Sequence, residues 1–440
     1  MLTDTIFAKA SGAGQAAVAV LRLSGAATAS VVRRLAGRLP EPRRASLRRL
    51  RDPGDGEVLD QALLLWFPGP ASYTGEDSAE LHLHGGSAVV VAVAEALVRL
   101  GCRPAEPGEF TRRAFLHGRM DLTQAEAIAD LIAAETAAQR RQALRQADGA
   151  LARLYGGWTE RLTRILAQQE AAIEFEMDDL PTDVADRARE AAAALAAEIT
   201  AHLADGRRGE RLRDGLSIAI IGAPNAGKSS LLNALAGREA AIVSPIAGTT
   251  RDVVECRLVL AGVPAVIADT AGLRATIDAI EQEGVRRAIK RAEEADLVIG
   301  AFAADAGPDA ETLALLRGAP ETILVATKCD LGAPPVLERS ATMIATSAIT
   351  GEGLPALRAA LEAAALRQAG LGDAPFLTRA RHRAALEEAA QQLDQARSAP
   401  LPELAAEGYR AALLAIGRVT GRVDVERILD SIFRDFCIGK

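Results

Sequence analysis

The sequence predicts a multidomain chain of mixed class, an α/β region followed by an all-α region, with a doubly wound α/β module inserted among the helices. Three observations predict it. The chain has 440 residues, more than one core of about 100–200 residues accommodates. Residues from about 121 to 213, and again after 365, share an Ala-, Leu-, Glu- and Arg-rich texture with apolar positions three and four apart, the mark of long helices. The stretch between them is different, since short apolar runs there alternate with glycine-containing loops. The expected segments are 1–117 as a small α/β domain, 118–214 and 366–440 as two parts of one helical domain, and 215–365 as the inserted module.

Within the first segment, Ala17–Leu23 and Ala62–Phe67 are short apolar runs that predict strands, the second stopped by Pro68, Gly69 and Pro70. Ser87–Leu100 has helical periodicity ended by Gly101. Residues 33–51 hold eight arginines against one glutamate and fit either a solvated helix-and-loop surface or a patch facing RNA. Gly206-Arg-Arg-Gly209 matches the loop by which some RNA-binding domains clamp a backbone, yet no alternation of strand and helix flanks it. A flexible joint into the inserted module is the expectation there.

Composition narrows the function classes. With 49% hydrophobic, 25% charged and 3% aromatic residues the chain suits a soluble, helix-leaning protein. A net charge of −7 argues against coating nucleic acid through a bulk basic field. Cys102, Cys256, Cys329 and Cys437 lie far apart with no CxxC pair, so neither a zinc site nor a disulfide framework is expected. The N-terminus lacks a basic region followed by an apolar stretch, and no window approaches about eighteen uninterrupted apolar residues. A cytoplasmic location with no membrane partner is expected.

Chemistry concentrates in the inserted module. Ser217–Ile221 is a continuous apolar strand that runs into Gly222-Ala-Pro-Asn-Ala-Gly-Lys-Ser229 and then a helix from Ser230 to Ala236. This is GxxxxGKS between a strand and a helix, as a phosphate loop requires. Backbone amides from Asn225 to Ser230 turn toward phosphates, Lys228 reaches the β- and γ-phosphates, and Ser229 offers a hydroxyl to Mg²⁺. Val266-Ile-Ala-Asp-Thr-Ala-Gly272 puts Asp269 at a strand end facing the magnesium shell, with Thr270, Ala271 and Gly272 beside the γ-phosphate. Between the two lies Gly248-Thr-Thr-Arg-Asp252, and the segment from about Ile242 to Thr250 fits either a turn-rich surface loop or a switch. In the switch, Ser244, Pro245, Ile246, Ala247, Gly248 and Thr249 line the nucleotide, and Thr250 gives magnesium a second hydroxyl only while the γ-phosphate is present.

The base is set further along. Thr322–Asp330 is a buried strand ending in Thr327-Lys328-Cys-Asp330. Asp330 can accept from both N1–H and the exocyclic amine of guanine, a donor pair that adenine lacks, while Lys328 lays its stem along the ring. Thr327 stands where Asn is commoner, keeping a hydroxyl and losing the amide. Thr346-Ser347-Ala348, again after a strand, adds backbone contacts to the base. Together these imply GTP. Leu273 occupies the place where a glutamine orients the attacking water in Ras-like proteins, so water and charge need another partner. Asn225 can supply an oxygen ligand to a monovalent cation near the β- and γ-phosphates, or simply shape the loop.

With these residues in place the chain resembles the MnmE (TrmE) family of tRNA-modification GTPases over its whole length. The likeness rests on Leu21-Arg-Leu-Ser-Gly25, Leu65-Trp-Phe-Pro-Gly-Pro70, Tyr73-Thr-Gly-Glu-Asp77, His84-Gly-Gly86, Pro107 to Phe115, Gln124 to Leu131, Ser230 to Gly237 and the terminal Phe436-Cys-Ile-Gly-Lys440. The resemblance implies an N-terminal domain similar to folate-binding folds that forms a homodimer, a helical domain, and a Ras-like G domain inserted in the latter. It implies a 5-formyltetrahydrofolate site on Arg22, Glu80, Arg119 and Lys440, with Arg119 standing where Lys is often found. It assigns K⁺ to Asn225, Ser244, Ile246 and Thr249, and alignment of the hydrolytic water to Glu281. Lys228 and Glu281 are thus the expected catalytic residues. A heterotetramer with the FAD-dependent MnmG, acting on the wobble uridine of tRNA, is the implied partnership. Cys437 falls on the family's terminal cysteine, in a structural or a chemical role.

Overall fold

The computed structural model describes residues 4–12, 14–174, 184–237, 255–269, 290, 293–334, 343–369, 375–423, 429, 432–433, 436–437 and 439. The chain divides into two compact units, one of residues 1–132, 146–167 and 410–440, the other of 133–145 and 168–409.

The first unit is built on a six-stranded sheet of β1 (Ile6–Lys9), β2 (Val18–Ser24), β3 (Ser46–Arg51), β4 (Val58–Phe67), β5 (Ser78–His84) and β6 (Arg103–Pro104), in the order β3-β4-β5-β2-β1-β6. All its pairings are antiparallel except β1 with β6. Two helices, α1 (Thr28–Ala36) and α2 (Ser87–Arg99), cover one face, where Val31, Val32, Leu35, Val93 and Leu97 pack on Leu21, Leu64, Trp66 and Leu81. Alternation along each strand sends the other set of side chains to the opposite face. There Val18, Leu47 and Leu63 are about half exposed, at 51%, 54% and 45%. After α2 come α3 (Glu109–Leu116) and α4 (Leu122–Ala133); α5 (Ala137–Ala147) falls mostly in the second unit, and α6 (Ala150–Glu174) is divided between the two. Leu122 and Ala125 of α4 form a small core with Leu429, Phe433 and Phe436. This core holds the C-terminal segment beside β1, where Gly439 (φ 103°) passes so close that an added Cβ would lie 2.7 Å from the Lys9 carbonyl.

Residues 33–51 depart from the helix-and-loop expectation, because Ser46–Arg51 is an edge strand paired with Leu64 to Val58. Burial of Leu50 and pairing with β4 override the indifferent strand propensity of arginine. Arginines on an outermost strand also discourage pairing with a foreign edge.

In the second unit, α7 (Val184–Leu203) lies along α12 (Ala380–Arg397), with Ala188, Ala192, Leu195 and Ile199 facing the same unit as Ala385, Leu386, Ala389 and Leu393. Small residues at helical spacing let the two axes approach closely. The short α8 (Arg208–Asp214) then leads into the nucleotide module. Gly206–Gly209, expected as a flexible joint, is a turn and the start of this helix. Gly209 is buried, and a Cβ there would meet the Leu377 carbonyl at 2.1 Å. Arg383 clamps the turn and helix through Asp205 (2.7 Å) and Glu210 (2.9 Å), and Arg211 pairs with Asp296 (2.6 Å).

The module itself is a six-stranded sheet of β7 (Leu216–Ile221), β8 (Glu255–Leu260), β9 (Val263–Asp269), β10 (Leu297–Ala303), β11 (Thr322–Thr327) and β12 (Met343–Ala345), ordered β12-β11-β10-β7-β9-β8. Only β8 runs antiparallel to its neighbour. The helices are α9 (Lys228–Gly237), α10 (Ala310–Leu316) and α11 (Leu354–Ala369), with α13 (Pro402–Thr420) following α12. Leucines of α9 and α11 pack on one face of the sheet, and Leu315 and Leu316 on the other, which makes it doubly wound. From β7 the chain fills one side with β9 and β8 and then the other with β10, β11 and β12. The carboxyl end of β7 is therefore the topological switch point, where sheets of this kind bind ligands.

Candidate functional site: a phosphate loop, a base pocket and a second cavity

At that switch point β7 delivers Gly222–Ser229. Gly222 has to be glycine, since a Cβ would sit 2.3 Å from the Ala301 carbonyl on β10. Asn225 (φ 60°) and Gly227 (φ 82°) both take the left-handed conformation, on either side of Ala226. Alternation of this kind turns successive N–H groups toward one point and makes an anion-binding nest. Lys228 opens α9; it is buried, and its Nζ donates to the carbonyls of Gly222 (2.7 Å) and Ala223 (2.8 Å), arching over the loop. Ser229 and Ser230 follow in the first helical turn, both exposed. A helix N-terminus below an amide nest with one lysine above it suits a polyphosphate. Mg²⁺ fits this setting, because it keeps phosphate and water oxygens and asks the protein for only one or two ligands, and the exposed Ser229 hydroxyl can serve as one.

Register places position 269 opposite Ile220, the second residue before Gly222, so the strand end carrying Asp269 adjoins the loop. Ser244, Pro245, Ile246, Ala247, Gly248, Thr249, Thr250, Thr270, Ala271, Gly272, Leu273 and Glu281 lie outside the described residues, as does Lys440.

The base-reading segments converge. A cavity of about 210 Å³ is lined by Gly227, Thr327, Lys328, Asp330, Thr346 and Ala348, among others. Thr327 is buried and its hydroxyl donates to the Ala226 carbonyl at 2.6 Å, with the Phe302 carbonyl at 3.3 Å. The hydroxyl therefore ties β11 to the phosphate loop, a link that does not need the amide commoner at this position. Lys328 (φ 56°) directs its ammonium to Asp305, 3.2 Å away, leaving its stem along the cavity wall. The loop carrying Ser347 and Ala348 is stiff. The Ser347 hydroxyl accepts from the amides of Ile349 (3.3 Å) and Thr350 (3.2 Å), and the Ser347 amide donates to the Glu352 carbonyl at 3.0 Å. Gly353 (φ 72°) lets it fold back on β12, as a Cβ there would lie 1.7 Å from the Ala345 carbonyl. Motif reading missed the apolar rim of this cavity, Leu331 and Ile349, which are 66% and 86% exposed.

A second cavity, of about 340 Å³, lies in the first unit on the uncovered sheet face and brings together Arg22, Glu80 and Arg119. Arg22 and Glu80 are register partners on β2 and β5, and the guanidinium grips the carboxylate through Nε (3.1 Å) and Nη2 (3.0 Å). Arg22 Nη1 also donates to the Gly439 carbonyl at 3.4 Å, so the C-terminal segment reaches this cavity although Lys440 itself is not described. Tyr73 stands under the Arg22 guanidinium, 5.6 Å from ring centroid to Cζ, and bonds to the Thr111 hydroxyl at 2.8 Å. Burial pushes the Tyr73 phenol up, which keeps it a neutral donor and acceptor. Arg43 and Phe67 also line the cavity, and residue types alone gave no signal for either.

Among the cysteines, Cys102 and Cys256 are buried, and burial drives the Cys102 thiol up to about 11, so it is not a nucleophile at neutral pH. Cys437 is exposed. No helix among the described residues is long and apolar enough to cross a membrane.

A doubly wound sheet with a phosphate nest at its switch point and a guanine-type Thr-Lys-x-Asp cavity beside it defines a P-loop GTPase. The helical part and the N-terminal part narrow this further. Residues 122–437 match the family model described as MnmE helical domain, and residues 5–119 match GTP-binding protein TrmE N-terminus. The chain belongs to the MnmE (TrmE) family. It is 54% identical over 443 residues to the tRNA modification GTPase MnmE of Granulibacter bethesdensis, each chain being covered in full. With the protein of that name from Rhodospirillum rubrum it shares 56% over 456 residues, again covering both completely. The Gluconacetobacter diazotrophicus protein is 56% identical over 438 residues, covering 99% of this chain and 98% of its own.

Proposed function

We propose that this chain is a potassium-dependent GTP hydrolase whose nucleotide cycle drives tRNA modification. The observation that carries the reading is the cavity in which Thr327, Lys328, Asp330 and Ala348 stand beside Gly227 of the phosphate loop, so one ligand spans base site and phosphate site. With the FAD-dependent MnmG, in a heterotetramer, it installs an aminomethyl-type group at C5 of the wobble uridine. Segments 1–117, 118–214, 215–365 and 366–440 serve as folate and dimer domain, first helical part, G domain and second helical part. The half-exposed Val18, Leu47 and Leu63 on the open sheet face support a homodimer, because an apolar face of that kind gains from a second copy. A cavity with Glu80 to accept from a pterin's amine and N–H, and Arg22 and Arg119 around it, supports the 5-formyltetrahydrofolate assignment, to which the family resemblance adds Lys440.

For hydrolysis, Glu281 aligns the water through intermediates, and K⁺ held by Asn225, Ser244, Ile246 and Thr249 offsets the transition-state charge as an arginine finger does. The left-handed Asn225 is exposed on the loop, free to turn its side-chain oxygen outward to a cation. Hydrolysis is expected to be faster in K⁺ than in Na⁺, and Asn225→Ala to erase the difference. Equal wild-type rates in the two salts would remove the cation from the mechanism. For the tRNA role, mass spectrometry of wobble uridines from a deletion strain is expected to show loss of the C5 modification and its return with the wild-type gene. An unchanged nucleoside profile on deletion would instead favour an assembly switch acting on the ribosome.

A further inference from the structure

The second cavity carries two positive charges that no carboxylate among the described residues balances. Arg22 is neutralised by Glu80 at 3.0 Å, whereas Arg43 and Arg119 line the same cavity and pair with no carboxylate among the described residues. Of these, Arg43 is the more deliberately placed. Its backbone is left-handed (φ 61°), a conformation that a residue with a side chain adopts only at some cost. Its amide donates to the Trp66 carbonyl at 2.8 Å, its guanidinium donates to the Ala71 carbonyl, and Cζ stands 5.8 Å from the centroid of the Phe67 ring. A cation held over an aromatic face with one carbonyl contact is oriented in advance and keeps donors to spare.

Register sets the direction of the cavity. Arg22, Glu80 and Leu65 stand side by side across β2, β5 and β4, and Phe67 is two residues further along β4, opposite Ser78. Two residues of strand span roughly 7 Å. One end of the cavity is thus a carboxylate acceptor, the middle offers the rings of Tyr73 and Phe67, and the far end is a guanidinium with no carboxylate partner among the described residues. A ligand that fits has hydrogen-bond donors at its head, a flat ring and an anionic tail.

Resting on the folate reading above, we infer that Arg43 binds the glutamate carboxylates of the folate, and that the cavity distinguishes folates bearing a glutamyl tail from bare pterins. Arg43 is exposed and outside the core, so Arg43→Gln leaves the fold intact. Calorimetric titration of the full-length protein with 5-formyltetrahydrofolate and with a formylated tetrahydropterin lacking the aminobenzoyl-glutamate tail tests this. Arg43→Gln is expected to weaken the folate roughly tenfold, the size of one charge-assisted hydrogen bond, and the pterin by less than about twofold, with the melting temperature unchanged. Arg43→Lys is expected to recover part of the loss. Equal loss for both ligands, or none for either, overturns the assignment of Arg43 while leaving the folate site standing. Wild-type protein that binds neither ligand overturns the folate reading and this inference with it.

Discussion

Lys228→Ala is expected to lower the rate of GTP hydrolysis by roughly 10²–10³-fold, the cost of removing one preorganised donor from a developing negative charge. The ammonium already sits over the loop, held by the Gly222 and Ala223 carbonyls, and needs only to exchange these acceptors for phosphate oxygens. Alanine is a favourable residue for the first position of α9, so the helix remains. Lys228→Arg is expected to rescue little, because a planar five-donor fork does not occupy the space of a compact ammonium. Steady-state phosphate release with circular dichroism as a control for folding measures this; a Lys228→Ala protein hydrolysing at the wild-type rate would mean that the loop is not the reaction site.

The second large effect is on stability. Arg113 of α3 is fully buried and holds three carboxylates at once, Asp4 (2.8 Å), Glu109 (2.9 Å) and Glu76 (3.1 Å). Arg113→Ala would leave the largely buried Glu76 without its counterion and take one of two cations from Glu109 and Asp4, which keep Arg103 at 2.6 Å. About 3 kcal/mol of the N-terminal unit's stability is expected to go with it. The cost reaches the second cavity. Glu76 also accepts from Ser24 at 2.7 Å, Ser24 bonds Thr74 at 2.6 Å, and Thr74 lines that cavity. Denaturant melts of the two proteins give the difference directly, and a loss below about 1 kcal/mol would show the network to be a surface feature.

The same network sets a pH dependence. Burial acts to raise the Glu109 carboxyl, but hydrogen bonds from Arg103, the Glu106 amide and Arg113 outweigh it and hold the group below its ordinary 4.5. Asp4 behaves alike: burial raises it, Arg103 and Arg113 pull harder, and it falls below 3.8. A carboxylate depressed by folding contributes stability that is complete above its unfolded value and lost as pH falls through the folded one. Melting of the wild-type unit should thus be flat near neutrality and decline only below about pH 4. Asp4 is partly exposed, so Glu109 carries the larger share.

What the sequence disclosed follows from how local each feature is. Gly222–Ser229, Thr327–Asp330 and Thr346–Ala348 are contiguous, and each sits at the end of an apolar strand whose neighbours are parallel. Once the strands are recognised, the sheet brings their carboxyl ends together without further information. The role of Thr327 could not be read this way, because its partner, the Ala226 carbonyl, is 101 residues away in sequence. The second cavity is harder still. Its parts come from β2, the segment before β3, the end of β4, β5 and the C-terminus, and Arg22 meets Gly439 across 417 residues. Only strand register and the small core around Phe433 assemble it, and neither leaves a motif. Ser46–Arg51 shows the converse failure: a run rich in arginine has no clear strand period, and pairing with β4 decides the matter.

Everything turns on a purine being chosen by Asp330 at the mouth of a phosphate nest. Equilibrium binding of GTP and ATP to the purified chain, with Mg²⁺ present, addresses that choice without involving any partner. Asp330 is exposed on the rim of its cavity and accepts two charge-assisted hydrogen bonds that guanine offers and adenine lacks. Each contributes about 1.5–3 kcal/mol, so GTP is expected to bind at least roughly 10²-fold more tightly than ATP. Equal affinities, or a preference for ATP, would contradict the account.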